Sequence, residues 1–440
     1  MTYAEALEKL YRLEHSGIKL GLDRIAAAVR QLGDPHRAYA TIHVAGTNGK
    51  GSTSALFARM LQENGYRTGL YTSPHLLDFR ERIRVDGEMA AESEIVAGLE
   101  EIWPAVERHQ LSFFEAATCL AFWIFARREV AAAVLEVGLG GRLDATNVVA
   151  PALTVITSLA LDHQKTLGSG LRRIAGEKAG ILKPEVPLVL ATCAGEARAV
   201  VLDAAAARNV PVHLDRDALA VRDLEIDWCE SRWRGERRAP GWPEWFDGAW
   251  RVSLAGAHQV ENARLALVGA ALLERGGWRI APAGLRRALA ATHWPGRIES
   301  LAPRRPVILD VAHNVEGARR LVRTLTRFPG WRGARWVVGM VQGKDHRAFL
   351  RELSRAGRRF HLCAPAHHRC VPAGVLEEAA AGLSFATHAN VSGAVAAALQ
   401  ELQPGEICVV SGSFFTLDEA CRVLGVVPRV SLGAAPAEVV

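Results

Sequence analysis

The sequence predicts an α/β protein in which a P-loop-containing unit on a mainly parallel sheet is followed by a smaller Rossmann-like α/β unit. Three observations carry that reading. Short apolar runs alternate with amphipathic stretches over most of the 440 residues, the pattern of parallel strands joined by crossover helices. The run 41–52, TIHVAGTNGKGS, passes from an apolar strand into a glycine-rich turn carrying Lys50 and Ser52. The run 293–297, HWPGR, places a proline and a glycine between two alternating series, as a linker does.

In chain order, the first series predicts strands at 41–45, 67–72, 131–137, 152–158 and 187–191, with helices at 52–64, 91–106, 112–128, 170–180 and 195–208. From 215 to 254 the periodicity loosens around Trp228, Trp233, Trp242, Trp245 and Trp250, where short antiparallel strands are expected. Helices return at 258–275 and 282–291. Beyond the linker come strand 306–310, helix 315–327, strand 335–340, helix 345–356, strand 359–363, helices 372–382 and 391–402, and strand 406–411. No GxGxxG follows the first of these strands, so a dinucleotide is not indicated. The expected domains are 1–295 and 296–428, with a flexible tail at 429–440.

Composition narrows the class. A content of 49% hydrophobic and 23% charged residues is that of a globular protein. The net charge of +6 could suit an anionic partner, but pairs such as Arg127-Arg128, Arg172-Arg173 and Arg319-Arg320 read as solvated helix faces, so no nucleic-acid partner is expected. Glu5 and Glu8 stand where a signal peptide would be basic, and the longest apolar stretch, 116–126, fits a buried helix, so no membrane partner is expected. Seven cysteines without a CxxC suit a reducing cytoplasm. Cys363, His367, His368 and Cys370 raise a zinc site, yet further ligands at familiar spacing are not evident, which favours an ordinary loop.

Chemistry gathers where strands end. Gly46, Gly49 and Gly51 let backbone N–H groups converge on an anion, Lys50 adds a point charge, and the helix starting near Ser52 offers its positive end. The spelling departs from GxxxxGK[ST]: only Thr47 and Asn48 separate Gly46 from Gly49, and Gly51 stands between Lys50 and Ser52, which disfavours a generic kinase or GTPase. Ser73 ends the second strand, Glu136 a buried strand before the loop GLGGRLDATN, and Asp162-His163 follows another. Ser73, Glu136 and His163 could converge on one cation such as Mg²⁺, although imidazole is uncommon in its shell. A structural salt bridge at Glu136, a core histidine at His163 and a turn residue at Ser73 remain open. Lys178 reads first as a surface lysine paired with Glu177 or another carboxylate.

Together these motifs, with TSPHL and FRERIRVDG after the second strand, EKAGI around Lys178, HQxxNA at 258–263, WPGR and LDVAHN at 309–314, resemble the folylpolyglutamate synthase/dihydrofolate synthase family of the Mur ligase superfamily. The resemblance runs from about residue 3 to 425. It implies a Mur-ligase-type central domain with a C-terminal Rossmann-like domain. It also implies an ATP-dependent ligase that adds L-glutamate to dihydropteroate, to the glutamate tail of folates, or to both, through an acyl phosphate. Polyglutamate extension alone and, more remotely, a muramyl-peptide ligase are the alternatives.

Carried over by motif, Gly46, Thr47, Asn48, Gly49, Lys50, Gly51 and Ser52 would hold the ATP phosphates, with Asn262 on adenine and Arg297 and Asp310 completing the ATP site. Ser73, Glu136 and His163 would hold magnesium. Lys178 would be carbamylated and support a second magnesium ion, and His313 would lie near the acyl-phosphate or glutamate end. Lys19, Leu20, Gly21, Phe113, Phe114, Leu143, Asp144 and Ala145 would contact the pterin. A monomer is expected. Three departures stand out: Val315 in place of the proline of AHNP, Lys165 in QKTLG where TDWLG is usual, and Gly343 in place of the first aspartate of DKD.

Overall fold

The computed structural model describes residues 1–17, 20–301, 306–357 and 359–426. Its first sheet has eight strands: β1 (Ala40–Ala45), β2 (Thr68–Tyr71), β3 (Ile83–Val85), β4 (Glu88–Met89), β5 (Ala132–Glu136), β6 (Leu153–Ile156), β7 (Leu188–Leu190) and β8 (Val212–Leu214). Their order is β4-β3-β2-β5-β1-β6-β7-β8. All pairings are parallel except those of the β3–β4 hairpin at one edge. Since β1 lies between β5 and β6, the loops leaving these three strands open onto one crevice, where an open α/β sheet places its ligand.

The central strands are buried on both faces, as their apolar runs require. The helix Lys50–Glu63 lies on one face and packs through Leu56, Phe57 and Met60 against the helix Ala257–Arg275. On the other face, the helices Glu92–Arg108 and Phe113–Arg127 share a core with two N-terminal helices, Tyr3–Tyr11 and Asp23–Gln31. The Trp-rich segment forms an antiparallel sheet of β9 (Leu219–Ile226), β10 (Ser231–Arg237) and β11 (Gly248–Val252), burying Trp233 and Trp250.

The third sheet comprises β12 (Glu299–Ser300), β13 (Val307–Leu309), β14 (Ala334–Val338), β15 (Arg359–Cys363), β16 (Ser384–His388) and β17 (Ile407–Ser411), in the order β12-β13-β17-β14-β15-β16. Only the short β12 runs antiparallel. The architecture is therefore α/β with two mainly parallel sheets, as expected. The structure adds elements the periodicity did not indicate: the two N-terminal helices, the β3–β4 hairpin, the edge strands β8 and β16, and the helix Phe414–Leu424. The helix after β1 also starts at Lys50, two residues before the expected Ser52. The tail expected at 429–440 and Lys19 lie outside the described residues.

Candidate active site

The glycine loop owes its shape to its neighbours. Gly46 (φ 149°) and Gly49 (φ 89°) lie in the region L side chains avoid. A Cβ on Gly46 would sit 1.9 Å from Thr157 Oγ1, one on Gly49 2.5 Å from Asn262 Oδ1, and one on Gly51 2.9 Å from Trp294 Nε1. The segment after β6 then ties the loop down. Thr47 N donates to Ser158 O (2.7 Å) and Asn48 N to Ser158 Oγ (2.9 Å), while Asn48 O accepts from both Thr157 Oγ1 (2.8 Å) and Ser158 Oγ (2.9 Å). At the helix start the buried hydroxyls of Ser52 and Thr53 have no hydrogen-bond partner.

Lys50 leans back toward Thr47 O (3.3 Å) and stands 4.0 Å from Glu136 at the end of β5. Glu136 Oε2 accepts from Ser73 N (3.1 Å). Burial raises the Glu136 carboxyl, and Lys50, the Ser73 N–H, Arg297 and Arg82 only partly offset it. Lys178 is not the surface lysine its sequence suggests: it is buried, and its Nζ donates to Gly46 O at 2.7 Å. Glu177 pairs instead with Arg142 at 2.6 Å. Burial, reinforced by the charge of Lys50, lowers the Lys178 amine to about 7.

Across the crevice, the loop after β13 meets the first sheet. Asp310 accepts from Ile298 N (3.0 Å) and Ala312 N (2.9 Å), and burial raises its carboxyl despite those donors and Arg297. The Arg297 guanidinium lies over Phe414 (5.6 Å). Asn314 and Asn48 exchange hydrogen bonds (3.1 and 3.3 Å), and Asn314 Nδ2 also donates to Asp162 (2.8 Å). Asp162 is the hub: buried, ion-paired to Lys344, and within 3.7 Å of His313 and 3.9 Å of His163. Burial alone would raise its carboxyl, but His313, His163 and Lys344 together hold it well below the usual range. His163, half exposed and at φ 50°, is lowered to about 4 mainly by desolvation, so its imidazole is neutral at pH 7.

Aromatic rings gather in a second cluster around Phe79 and Phe113. Phe113 stacks on Tyr11 (5.5 Å between centroids), with Phe79 edge-on to both rings. Phe114 packs beside Tyr71 and against Gly138. Asp144 is already committed: it accepts from Leu139 N (2.8 Å) and Thr146 N (3.0 Å) and caps the turn Ala145–Val148, leaving Leu143 half-buried and Ala145 buried. Leu20 is exposed, and Gly21 adopts φ 128°. Asp162, Lys344 and Arg82 lie within segments singled out in the sequence, but no role was expected of any of them. Cys363 is buried and His367 stacks on Phe415, and the described residues contain no cluster of three or more His, Cys, Asp or Glu able to hold a metal.

Residues 44–270 match the Mur ligase middle domain and residues 296–414 the Mur ligase glutamate ligase domain. The chain is 36% identical over 371 residues to the dihydrofolate synthase/folylpolyglutamate synthase of Bacillus subtilis, covering 82% of this chain and 85% of that one. The chain belongs to the dihydrofolate synthase/folylpolyglutamate synthase family of Mur ligases. Two solved members of the family superpose over almost the whole ligase. Escherichia coli FolC in complex with DHPP and ADP matches at a TM-score of 0.85 and 29% identity, covering 97% of this chain and 98% of that one. The bifunctional Yersinia pestis enzyme complexed with AMPPNP and Mn ion matches at 0.83 and 31%, with the same coverage. The glycine loop and the Glu136 crevice lie within the middle-domain match, and Arg297, Asp310 and His313 within the glutamate ligase match.

Proposed function

We propose that this ligase uses ATP to activate the carboxylate of dihydropteroate, and of the glutamate tail of folates, and joins it to the amine of L-glutamate. The observation that carries the reading is the convergence of Lys50, Glu136 and the glycine loop with Asn314, His313 and Lys344 of the second unit across one crevice.

The chemistry follows from a poor leaving group. A carboxylate cannot expel oxide, so one of its oxygens attacks the γ-phosphorus of ATP, the bond to the β–γ bridging oxygen breaks, and ADP leaves with the electron pair. The glutamate amine then adds to the acyl carbonyl, loses a proton, and expels inorganic phosphate. Loop N–H groups and Lys50 hold the transferring phosphoryl group, Asn262 and Arg297 orient the nucleotide, and Asp310 anchors the backbone around Arg297. Closure of the units 1–295 and 296–428 across the Asn48–Asn314 contact shields the acyl phosphate from water.

The residues present also fit a hard divalent cation. Glu136 is a buried carboxyl whose nearest cation is Lys50 at 4.0 Å, the Ser52 hydroxyl is buried without a partner, and the His163 imidazole is neutral. Ser73, Glu136 and His163 would hold magnesium, and a carbamate on Lys178 would support a second ion. When bound, the cation neutralises charge on the transferring oxygens. The seven free thiols suit a cytoplasmic enzyme. No described helix is long and apolar enough to cross a membrane.

The test is ADP release with dihydropteroate or tetrahydrofolate, each with and without L-glutamate. Lys50→Ala and Glu136→Ala should abolish it while far-UV circular dichroism is unchanged. Retained turnover in either variant would remove the phosphate–metal site.

A further inference from the structure

The segment FRERIRVDG carries three arginines with three different fates. Arg80 pairs with Asp78 at 2.7 Å. Arg84 is buried on β3 and donates to the carbonyls of Glu81 and Gly87 at 3.4 Å. Arg82 is 7% exposed, and its Nε donates to His75 Nδ1 at 2.8 Å. Among the described residues no carboxylate lies within ion-pair distance of it. His75 cannot supply the missing charge, because burial followed by the Arg82 charge keeps its imidazole neutral.

A guanidinium buried without a counter-ion is costly, and an anion bound beside it would relieve that cost. The surroundings say which anion. Arg82 lies over Phe113 (5.3 Å) and Phe79 (5.9 Å), the rings that cluster with Tyr11. Its charge also acts on the Glu136 carboxyl beside Lys50. It therefore stands against the aromatic cluster and within electrostatic reach of the phosphate-transfer crevice. With Nε engaged by His75, its two terminal nitrogens remain for one planar acceptor, the geometry in which guanidinium grips a carboxylate.

We infer that Arg82 binds the carboxylate of the acid to be activated, holding it beside the aromatic cluster and facing the γ-phosphate. This rests on the functional reading above and assigns one residue within it. Arg82 holds the nucleophile, and one N–H from each terminal nitrogen leaves the attacking oxygen a lone pair. A ligand with the same rings but no charge should bind without using Arg82.

The experiment compares dihydropteroate with its carboxamide, binding each to the full chain in the presence of a non-hydrolysable ATP analogue. Wild type should prefer the acid by about tenfold or more. Arg82→Met should bring the two affinities within about twofold by weakening the acid alone, with ATP-analogue affinity unchanged within about twofold. Arg82→Lys keeps the charge but loses the fork, and should weaken the acid about tenfold while leaving the amide unmoved. A wild-type acid preference retained in Arg82→Met, or in Arg82→Lys should the Met variant not fold, overturns the assignment. If the wild-type chain binds neither ligand, the functional reading falls and the assignment with it.

Discussion

Asn314 of the second unit donates to Asp162 of the first at 2.8 Å and exchanges a further pair of hydrogen bonds with Asn48 of the phosphate loop. The same Asp162 carboxylate holds Lys344, so two points of the second unit meet one buried charge beside the nucleotide loop. Nucleotide site and domain contact are thus one network.

Asp162→Asn keeps an acceptor for Asn314 but strands Lys344, whose side chain is only 9% exposed, without a counter-charge. Breaking a buried pair from one side costs about 3–5 kcal/mol. Urea unfolding should show a loss of that order, with ADP release falling in parallel. A midpoint equal to wild type would show that the pair is not closed in solution.

Gly49 and Gly51 should respond differently to alanine. At Gly49 both the positive φ and the approach of Asn262 are violated, so Gly49→Ala should cost about 1–3 kcal/mol, and removing the Asn262 side chain should not restore nucleotide binding. At Gly51 only Trp294 is in the way, 2.9 Å from the added carbon. Gly51→Ala combined with Trp294→Leu should therefore recover ATP-analogue affinity that Gly51→Ala alone loses, as measured by calorimetry.

Lys178 makes a pH-dependent prediction. Its amine titrates near 7 in the folded chain and near its ordinary 10.5 when unfolded. Between those values the unfolded state binds the extra proton, so this group makes stability rise with pH from about 7 to 10.5 and adds no slope below 7. The urea midpoint of wild type relative to Lys178→Met should climb between pH 7 and pH 9.5, and a flat difference would contradict the buried position. The neutral amine present above pH 7 is also the form that reacts with carbon dioxide. If the carbamate is required, Lys178→Ala should regain ADP release on addition of acetate or propionate.

The AHNV spelling carries its own forecast. Asn314 Oδ1 already caps the helix Val315–Leu325 by accepting from Gly317 N at 2.8 Å, so a proline is not needed to start it. Proline is at home in the first helical position, and Val315→Pro should leave ADP release unaltered and stability equal or raised by up to about 1 kcal/mol. A lower melting temperature would place Val315 in a backbone shape that proline cannot take.

Much of this was legible in the chain. The alternation of short strands and helices announced two parallel sheets, and the loops after β1, β5 and β6 carried polar residues that local pattern could single out. What escaped depends on distance along the chain. Lys344 meets Asp162 across 182 positions, and nothing local in either segment marks the pairing. Arg82 looks like any arginine in a charged stretch until Phe113 closes over it. Lys178 was misjudged because EKAG reads as solvated helix, whereas its helix lies against the glycine loop. The edge strand β16 escaped because SFATH is short and only partly buried, and the N-terminal helices because each spans only 9 residues.

The lacing of residues 157–160 onto the glycine loop settles when that loop becomes ordered. Thr157, Ser158 and Lys178 fix its backbone, and Ala160 holds the Thr47 hydroxyl, through bonds made entirely within the protein. A nucleotide thus meets a rigid socket, and the entropy of shaping it falls on folding rather than on binding. Affinity for ATP is thereby tied to the integrity of a segment that contributes no group to the phosphates.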